Sequence, residues 1–366
     1  MASIFEPMKI GRLELENRFV RSATWDAAAD DSGIVTEASL ALYRELGRGR
    51  IGLIISGFAY VSSIQQAAIR QYGIHDDAMI PGLRRMVDVT RSDGARIAVQ
   101  IGGAGIQLGL LPPREGAMHA AVSTRPEVGR PHREMNDDEV EATIEDFVAA
   151  AVRGREAGFD AIQLHGAHGY LMSQFQSPMS NRREDRWGGS PENRRRFHLE
   201  VVRRVRQAIG TDFPLMIKYG VKDASDRGLS LEEGIETVRQ MVTAGLDAIE
   251  VSTGIGDVIP AVCKGDEVTP YRDFAAAVGR AVDVPVIAVA GVRRLATAED
   301  IVSSGDADMV ALSRPLIREP GLVARWGNGE TSPATCISCN RCGTDASRGD
   351  SLECGEDRRL RERTNR

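Results

Sequence analysis

Short apolar runs alternate with longer amphipathic segments along the whole chain. Most of the short runs are apolar throughout, as expected of strands that are buried on both faces of a sheet. Eight such runs are predicted as strands: Phe19–Ser22, Leu53–Gly57, Ile97–Ile101, Ala161–His165, Leu215–Tyr219, Ala248–Ser252, Val286–Val289 and Met309–Ser313.

Four segments between these strands combine helical spacing of apolar residues with recognisable ends. They are Asp137–Gly158, Pro191–Ile209, Ser230–Gly245 and Thr297–Gly305. The second is preceded by Ser190, so it starts with an N-cap residue, a proline and an acidic residue. Eight strands that are each followed by helical material predict an α/β fold, a closed (β/α)8 TIM barrel.

A doubly wound open sheet is the competing fold. Its nucleotide fingerprint, G-x-G-x-x-G, lies between the first strand and the first helix. The nearest text in this chain, Gly102-Gly103-Ala104-Gly105, follows the third strand and lacks the pattern. The barrel is therefore favoured.

Two connections are long enough to predict functional lids or binding segments. Gly102–Asn136 follows the third strand and Met172–Gly189 follows the fourth. The end of the chain, Asp357–Arg366, is charged and has no core pattern, so we expect it to fray.

Composition narrows the classes of partner. The chain has 366 residues, 42% of them hydrophobic, and a formal net charge of -6, which disfavours nucleic acid and anionic membranes. Met1–Glu6 lacks a secretory signal, and apolar stretches such as Gly52–Val61 and Val284–Val292 are too short to span a bilayer. We expect a cytoplasmic homo-oligomer with no nucleic-acid or membrane partner.

The predicted strand ends are rich in polar side chains and glycines. In a TIM barrel the active site is assembled at the C-terminal ends of the strands. These ends supply Ser22, Ala23, Thr24, Gly57, Gln100, His165, Lys218, Ser252, Thr253, Gly291, Ser313 and Arg314. A purely structural barrel would have little reason for this set.

The fourth strand end reads His165-Gly-Ala-His168-Gly-Tyr170-Leu. Imidazoles can donate hydrogen bonds to a carbonyl oxygen and stabilise negative charge that develops there. A phenol can donate a proton to carbon. Two alternatives remain: a metal pair, for which no third ligand is evident nearby, and two ordinary surface histidines.

Two further strand ends suggest contacts to an anionic cofactor. Lys218 closes an apolar run and could hold negative charge on a reduced cofactor, or form a Schiff base as in barrel aldolases. Gly291 and Arg314 follow the seventh and eighth strands, the usual phosphate site of this fold. Each of these two alone could reflect simple turn chemistry.

The chain resembles the Old Yellow Enzyme family of FMN reductases over nearly its whole length. The resemblance rests on five segments, which begin at Phe5-Glu-Pro-Met-Lys-Ile-Gly, Leu15-Glu-Asn-Arg-Phe-Val-Arg-Ser-Ala-Thr, His165-Gly-Ala-His-Gly-Tyr-Leu, Gln174-Phe-Gln-Ser-Pro-Met-Ser-Asn-Arg and Gly188-Gly-Ser-Pro-Glu-Asn-Arg-Arg-Arg-Phe. A chance match of that length is very improbable.

The resemblance implies a role for each matching residue. Ala23, Thr24, Gly57 and Gln100 would contact the isoalloxazine ring, and Lys218 would lie near its N1–C2 edge. Gly291, Ser313 and Arg314 would hold the FMN phosphate. His165 and His168 would bind the carbonyl oxygen of the substrate, and Tyr170 would protonate its α-carbon. The implied mechanism is ping-pong: NAD(P)H delivers hydride, leaves, and is replaced by a small electron-poor alkene in the same site.

Four of the five cysteines lie within nineteen residues: Cys336, Cys339, Cys342 and Cys354. Their spacing resembles the [4Fe–4S] segment of 2,4-dienoyl-CoA reductase and trimethylamine dehydrogenase. In a cytosolic chain such a cluster favours a metal site over disulfides. An iron–sulfur cluster is favoured, a Cys₄ zinc site is the rival, and an unoccupied remnant is the third possibility. The fifth cysteine is Cys263.

The chain also departs from those relatives. They continue into nucleotide-binding domains, whereas this chain ends twelve residues after Cys354. We therefore expect a barrel over 1–330 and a cysteine-rich segment with a charged tail over 331–366, with no internal electron path from a second nucleotide cofactor. Some relatives have a redox-tuning cysteine where this chain has Trp25, which we expect to shape the substrate pocket.

Four functions compete at this point. The first is an FMN-dependent ene-reductase that uses NAD(P)H. The second is an FMN/iron–sulfur electron-transfer subunit that works with a partner flavoprotein. A Schiff-base lyase built on Lys218 is disfavoured, and a non-enzymatic flavin sensor would leave the histidines and tyrosine of the fourth strand end without a purpose.

Overall fold

Eight parallel strands form a closed barrel in the computed structural model, which describes residues 3–107, 119–256, 270–289, 291–348 and 352–364. The barrel strands are β1 Phe19–Arg21, β2 Leu53–Ile55, β3 Ile97–Gly102, β4 Ala161–Gly166, β5 Leu215–Lys222, β6 Ala248–Thr253, β7 Val286–Val289 and β8 Met309–Leu312. Each pairs in parallel with its neighbours in the chain, and β8 pairs with β1 to close the ring. The predicted (β/α)8 TIM barrel is confirmed.

Helices surround the barrel. They are α1 Glu37–Gly47, α2 Ile80–Arg91, α3 Asp137–Glu156, α4 Pro191–Ile209, α5 Leu231–Thr243, α6 Arg272–Gly279 and α7 Leu295–Ser303. Asn136, Ser190 and Ser230 cap α3, α4 and α5 by accepting hydrogen bonds from backbone N–H groups of the first turn. The predicted starts of these three helices are correct to within one residue.

Apolar side chains fill the bottom of the barrel. An antiparallel hairpin of Met8–Ile10 and Leu13–Leu15 packs there against inward residues of the strands, among them Val20 and Met216. A second, larger cluster lies between the strands and the helices.

The two long connections contain short elements of their own. In the described part of the first, His119–Ala121 pairs with His132–Glu134; residues 108–118 lie outside the described residues. The second begins with the helix Leu171–Gln176, and the Asn181 side chain then donates to two backbone carbonyls. Shorter elements elsewhere are Ala59–Tyr60 and the 3₁₀ turns Asp77–Met79 and Pro126–Val128.

The segment after β8 is helical over most of its described length. Its helices are Arg314–Arg318, Leu322–Gly327, Arg341–Ala346 and Gly355–Thr364. The prediction that Asp357–Arg366 frays is wrong for its described part, because ion pairs tie this end to the rest of the chain. Asp357 pairs with Arg318 at 2.7 Å, and the adjacent Glu356 pairs with Arg341 at 2.9 Å.

No helix within the described ranges combines the length and the apolar composition that crossing a bilayer requires.

Candidate active site at the C-terminal end of the barrel

A cavity opens at the C-terminal end of the barrel, where the predicted site residues meet. Eight of them line it: Ser22, Ala23, His168, Lys218, Ser252, Gly291, Ser313 and Arg314. Its wall also contains Tyr271. Among the other predicted residues, Thr24 and His165 contact residues of this wall, and Tyr170 contacts His165.

Three aromatic rings of the fourth strand end lie together. The His165 ring centroid is 5.3 Å from that of His168 and 4.9 Å from that of Tyr170. Phe58 contacts both His165, at 5.0 Å, and Tyr170, at 5.3 Å. The structure therefore brings the three predicted substrate residues into one group, and Phe58, which the sequence analysis missed, holds it from one side.

Burial keeps both imidazoles neutral. Burial, and then the neighbouring charges of His168 and Lys218, hold the pKa of His165 well below its ordinary value. Burial and Lys218 likewise lower the pKa of His168 to about 3. A neutral imidazole has one N–H donor and one acceptor nitrogen. Nδ1 of His165 has no hydrogen-bond partner among the described residues.

Backbone geometry and one hydroxyl orient His168. Its φ of 61° lies in the left-handed region, which is uncommon for a residue other than glycine and which the surrounding contacts must enforce. The backbone N–H of His168 donates to the Thr253 carbonyl at 3.0 Å, and the ring Nε2 lies 2.8 Å from the Ser252 hydroxyl oxygen. The end of β6 therefore positions the second histidine of β4.

A buried ion pair lies beside this group. Strand register places Lys218 next to His165 on one side and Glu250 on the other. The Lys218 Nζ donates to the Glu250 carboxylate at 2.9 Å and to the Ser22 hydroxyl at 2.7 Å. The Glu250 side chain is completely buried.

Two glutamine side chains extend this network across the barrel. Gln163 Nε2 donates to the second oxygen of Glu250 at 2.8 Å, and Gln100 Nε2 donates to Gln163 at 2.7 Å. The predicted flavin contact Gln100 is thus linked to Lys218 through two residues that the sequence analysis missed. A charged residue inside an apolar strand, as in Ala-Ile-Glu-Val-Ser, was the signal that could have found Glu250, because charges are rarely buried without a partner.

The predicted phosphate residues form another part of the wall. Gly291 adopts φ 89°, a left-handed conformation that favours glycine. The Ser313 hydroxyl lies 2.8 Å from that of Thr24, which connects the eighth strand end to the first. Arg314 contributes a guanidinium with five N–H donors.

Gly57 and Trp25 are held by contacts outside the cavity wall. The Gly57 N–H donates to the Tyr43 hydroxyl at 2.8 Å, which in turn donates to the buried carboxyl of Asp26 at 3.1 Å. Burial raises the pKa of Asp26. The Trp25 indole donates to the Ile69 carbonyl at 3.1 Å.

The four clustered cysteines line a second, smaller cavity, which shares Arg314 with the first. All four are partly exposed, and burial raises the pKa of Cys342. No three His, Cys, Asp or Glu side chains within the described ranges take up a geometry that binds a metal ion. Cys263 lies outside the described residues.

Two unusual backbone positions shape the cysteine loop. Ser338 and Asn340 both have positive φ, 54° and 60°, although neither is glycine. Arg314 Nη1 donates to the side chain of Asn340. The residue predicted to hold phosphate therefore also holds the loop that carries the first three cysteines.

Comparison with known proteins gives one family. The model of the NADH:flavin oxidoreductase / NADH oxidase family matches residues 3–331. A "NADH oxidase" of Thermoanaerobacter brockii is 36% identical over 92% of this chain, and a "NADPH dehydrogenase" of Geobacillus sp. (strain WCH70) is 35% identical over 87% of it. The chain spans 53% of the former, about half its length, and 91% of the latter.

A solved structure extends the comparison to the fold. The complex of 2-naphthoyl-CoA reductase with 2-naphthoyl-CoA superposes with a TM-score of 0.88 at 26% identity and covers 96% of this chain, which matches 56% of that protein. The cavity lies at the C-terminal ends of the barrel strands. The chain therefore belongs to the NADH:flavin oxidoreductase / NADH oxidase family, which is the Old Yellow Enzyme family that its sequence resembles.

Proposed function

We propose that this chain binds FMN in the barrel cavity and uses hydride from NAD(P)H to reduce an electron-poor C=C bond of an enone, enoate or enoyl thioester. The observation that carries the proposal is the group of His165, His168 and Tyr170 beside the cavity. It offers neutral N–H donors and a phenol next to a space lined by cationic side chains.

The residues that line the cavity fit FMN. Gly291, Ser313 and Arg314 supply a backbone N–H, a hydroxyl and a guanidinium, a donor set suited to a phosphate. Lys218 supplies an ammonium in the same cavity, and Gln100 an amide connected to it, which suit the polar edge of an isoalloxazine. Bound FMN would supply reversible hydride transfer at its N5 atom.

The chain's own contribution is to bind and polarise the alkene. Because His165 and His168 stay neutral, each can donate one hydrogen bond to a carbonyl oxygen without placing a full positive charge in the pocket. Burial raises the pKa of Tyr170, so its hydroxyl stays protonated at neutral pH. We assign to Tyr170 the transfer of that proton to the α-carbon.

Relatives guide the choice of reductant and substrate. The names "NADH oxidase" and "NADPH dehydrogenase" support a reduced nicotinamide as hydride source, and the 2-naphthoyl-CoA complex supports testing a conjugated thioester. A barrel over 1–330 would carry this reaction, with 331–366 as an appended cysteine-rich segment.

Anaerobic flavin spectroscopy tests the proposal. The purified protein, reconstituted with FMN, should be bleached by NADH or NADPH and reoxidised by 2-cyclohexenone or crotonyl-CoA. Tyr170→Phe should leave bleaching unchanged and slow reoxidation by the alkene about 10²-fold or more. A protein that does not bind FMN, or that no alkene reoxidises, would contradict the proposal.

The cysteine cavity favours a second candidate, an FMN/iron–sulfur electron-transfer subunit with a partner flavoprotein. The four thiols are donors of the chemical type that holds a [4Fe–4S] cluster, with zinc as the alternative, although they do not take up metal-binding geometry among the described residues. The left-handed residues Ser338 and Asn340 bend the loop around this cavity. Each such conformation costs of order 1 kcal/mol, which a bound cluster would help to offset.

Metal analysis on anaerobically purified protein separates these possibilities. Four iron and four sulfide per chain, with Cys342→Ala losing them, would support the cluster, whereas one zinc per chain would support the rival. The electron-transfer function further requires that NADH and NADPH alone reduce the flavin slowly. Fast reduction by either would favour the ene-reductase.

A further inference from the structure

We infer that Glu250 neutralises the charge of Lys218 and thereby lowers the reduction potential of the flavin that this barrel binds. Glu250 is a positioning residue, because it acts through Lys218 and does not line the cavity. The inference rests on the proposed function, since it concerns the FMN site, but it makes a separate prediction.

The pair is fixed by three short contacts. Lys218 Nζ lies 2.9 Å from Glu250 Oε1, and the Ser22 hydroxyl accepts from Lys218 at 2.7 Å while it donates to Oε1 at 2.5 Å. The Lys218 side chain is only 6% exposed and that of Glu250 is 0% exposed. Water therefore screens this pair weakly, so the carboxylate opposes the positive potential of the ammonium at neighbouring atoms.

Glu250 has no oxygen left for a substrate. Its second oxygen, Oε2, accepts from Gln163 Nε2 at 2.8 Å, and Gln163 accepts from Gln100. One carboxylate thus orients two of the residues that the family resemblance assigns to the isoalloxazine, Lys218 directly and Gln100 through Gln163. A group so fully engaged by donors is suited to set charge and position, and unsuited to act as a general base.

The sign of the effect follows from the charges. An unpaired lysine beside a flavin favours the reduced, anionic form and raises the potential. Here Lys218 and Glu250 sum to zero, so Lys218 acts more as a directed hydrogen-bond donor than as a net positive charge. The substitution Glu250→Gln removes the opposing charge and keeps the shape, and the amides of Gln163 and Gln100 can reverse to satisfy the new side chain.

The test compares the affinity of the FMN-free protein for oxidised and for reduced FMN. In Glu250→Gln, binding of reduced relative to oxidised FMN should strengthen about tenfold or more, which corresponds to a rise in potential of about 30 mV for a two-electron couple. Potentials from equilibration with redox dyes give the same quantity independently. Glu14→Gln is the matched control: it makes the same change of side chain in an exposed pair with Lys9, outside the cavity wall, and should leave the ratio within about twofold of wild type.

A second comparison covers failure of Glu250→Gln to fold. Lys218→Met should weaken the binding of reduced FMN relative to that of oxidised FMN. Adding Glu250→Gln to this variant should restore the ratio of the two affinities towards the wild-type value. An unchanged ratio in Glu250→Gln would overturn the inference, and so would equal ratios in Lys218→Met and the double variant. In either case, FMN binding by the wild-type protein would still support the proposed function. Absence of FMN binding by wild type would overturn both.

Discussion

Removing Lys218 should destabilise the FMN-free protein strongly, because it leaves Glu250 charged in the barrel interior. At 2.9 Å, with an effective dielectric constant of about 20, the attraction within this pair is roughly 6 kcal/mol before the cost of desolvation is subtracted. Loss of one partner of a buried pair typically costs about 3–5 kcal/mol. The hydrogen bonds from Ser22 and Gln163 to Glu250 remain and reduce this cost. We therefore expect Lys218→Met to lower the free energy of unfolding by about 3 kcal/mol.

Urea unfolding at pH 7, followed by far-ultraviolet circular dichroism and by tryptophan fluorescence, measures this loss as a fall in the free energy of unfolding. The double variant Lys218→Met with Glu250→Gln has no unpaired buried charge and should recover most of the stability. Lys9, whose pair with Glu14 is exposed, is the control position, and Lys9→Met should cost less than about 1 kcal/mol. A cost below about 1 kcal/mol for Lys218→Met would refute the reasoning. So would a double variant whose loss of stability equals the sum of the losses in Lys218→Met and Glu250→Gln.

Three further outcomes are expected. Gly291→Ala forces a side chain into φ 89°, so it should weaken FMN binding about tenfold or more in a fluorescence titration. His168→Asn should raise the KM for an enone far more than that for NAD(P)H in steady-state assays. His198 is fully buried against the Tyr219 ring, and burial lowers its pKa to about 3. The stability that depends on its neutral form is therefore complete above pH 6.5, the ordinary pKa of histidine, and is lost as the pH falls towards 3. The His198→Phe variant lacks this loss. For each pH unit below pH 6.5, its free energy of unfolding should therefore rise relative to that of wild type by up to about 1.4 kcal/mol.

Each of these outcomes has a control and a result that would contradict it. Gly279, in α6, faces open space among the described residues where an added methyl group would lie, so Gly279→Ala should leave FMN affinity unchanged. An equal loss in both glycine variants would contradict the role of Gly291. An unchanged KM for the enone in His168→Asn would argue against its contact with the carbonyl oxygen. For His198→Phe, a difference from wild type that stays constant between pH 7 and 5 would contradict a depressed pKa.

The sequence by itself determined the barrel and the residues at its mouth. Continuous apolar runs such as Ile97–Gly102 are required of strands that are covered on both faces, so eight of them were visible without any tertiary information. Parallel strands in a barrel end on the same side, which is why His165, Lys218 and Arg314 could be expected around one site. α1 was missed because its capping box uses Ser39 in place of the usual Glu or Gln.

Only the tertiary structure decided how those residues are charged and connected. Glu250 and Gln163 come from different strands, and the contacts of Glu250 with Lys218 and with Gln163 depend on strand register across the barrel, which no local pattern encodes. The helical end of the chain was likewise unpredictable, because the pairs Arg318–Asp357 and Arg341–Glu356 join residues far apart in sequence. Periodicity reports which face of a strand is buried, whereas the partner of a buried charge is set by the three-dimensional arrangement of the strands.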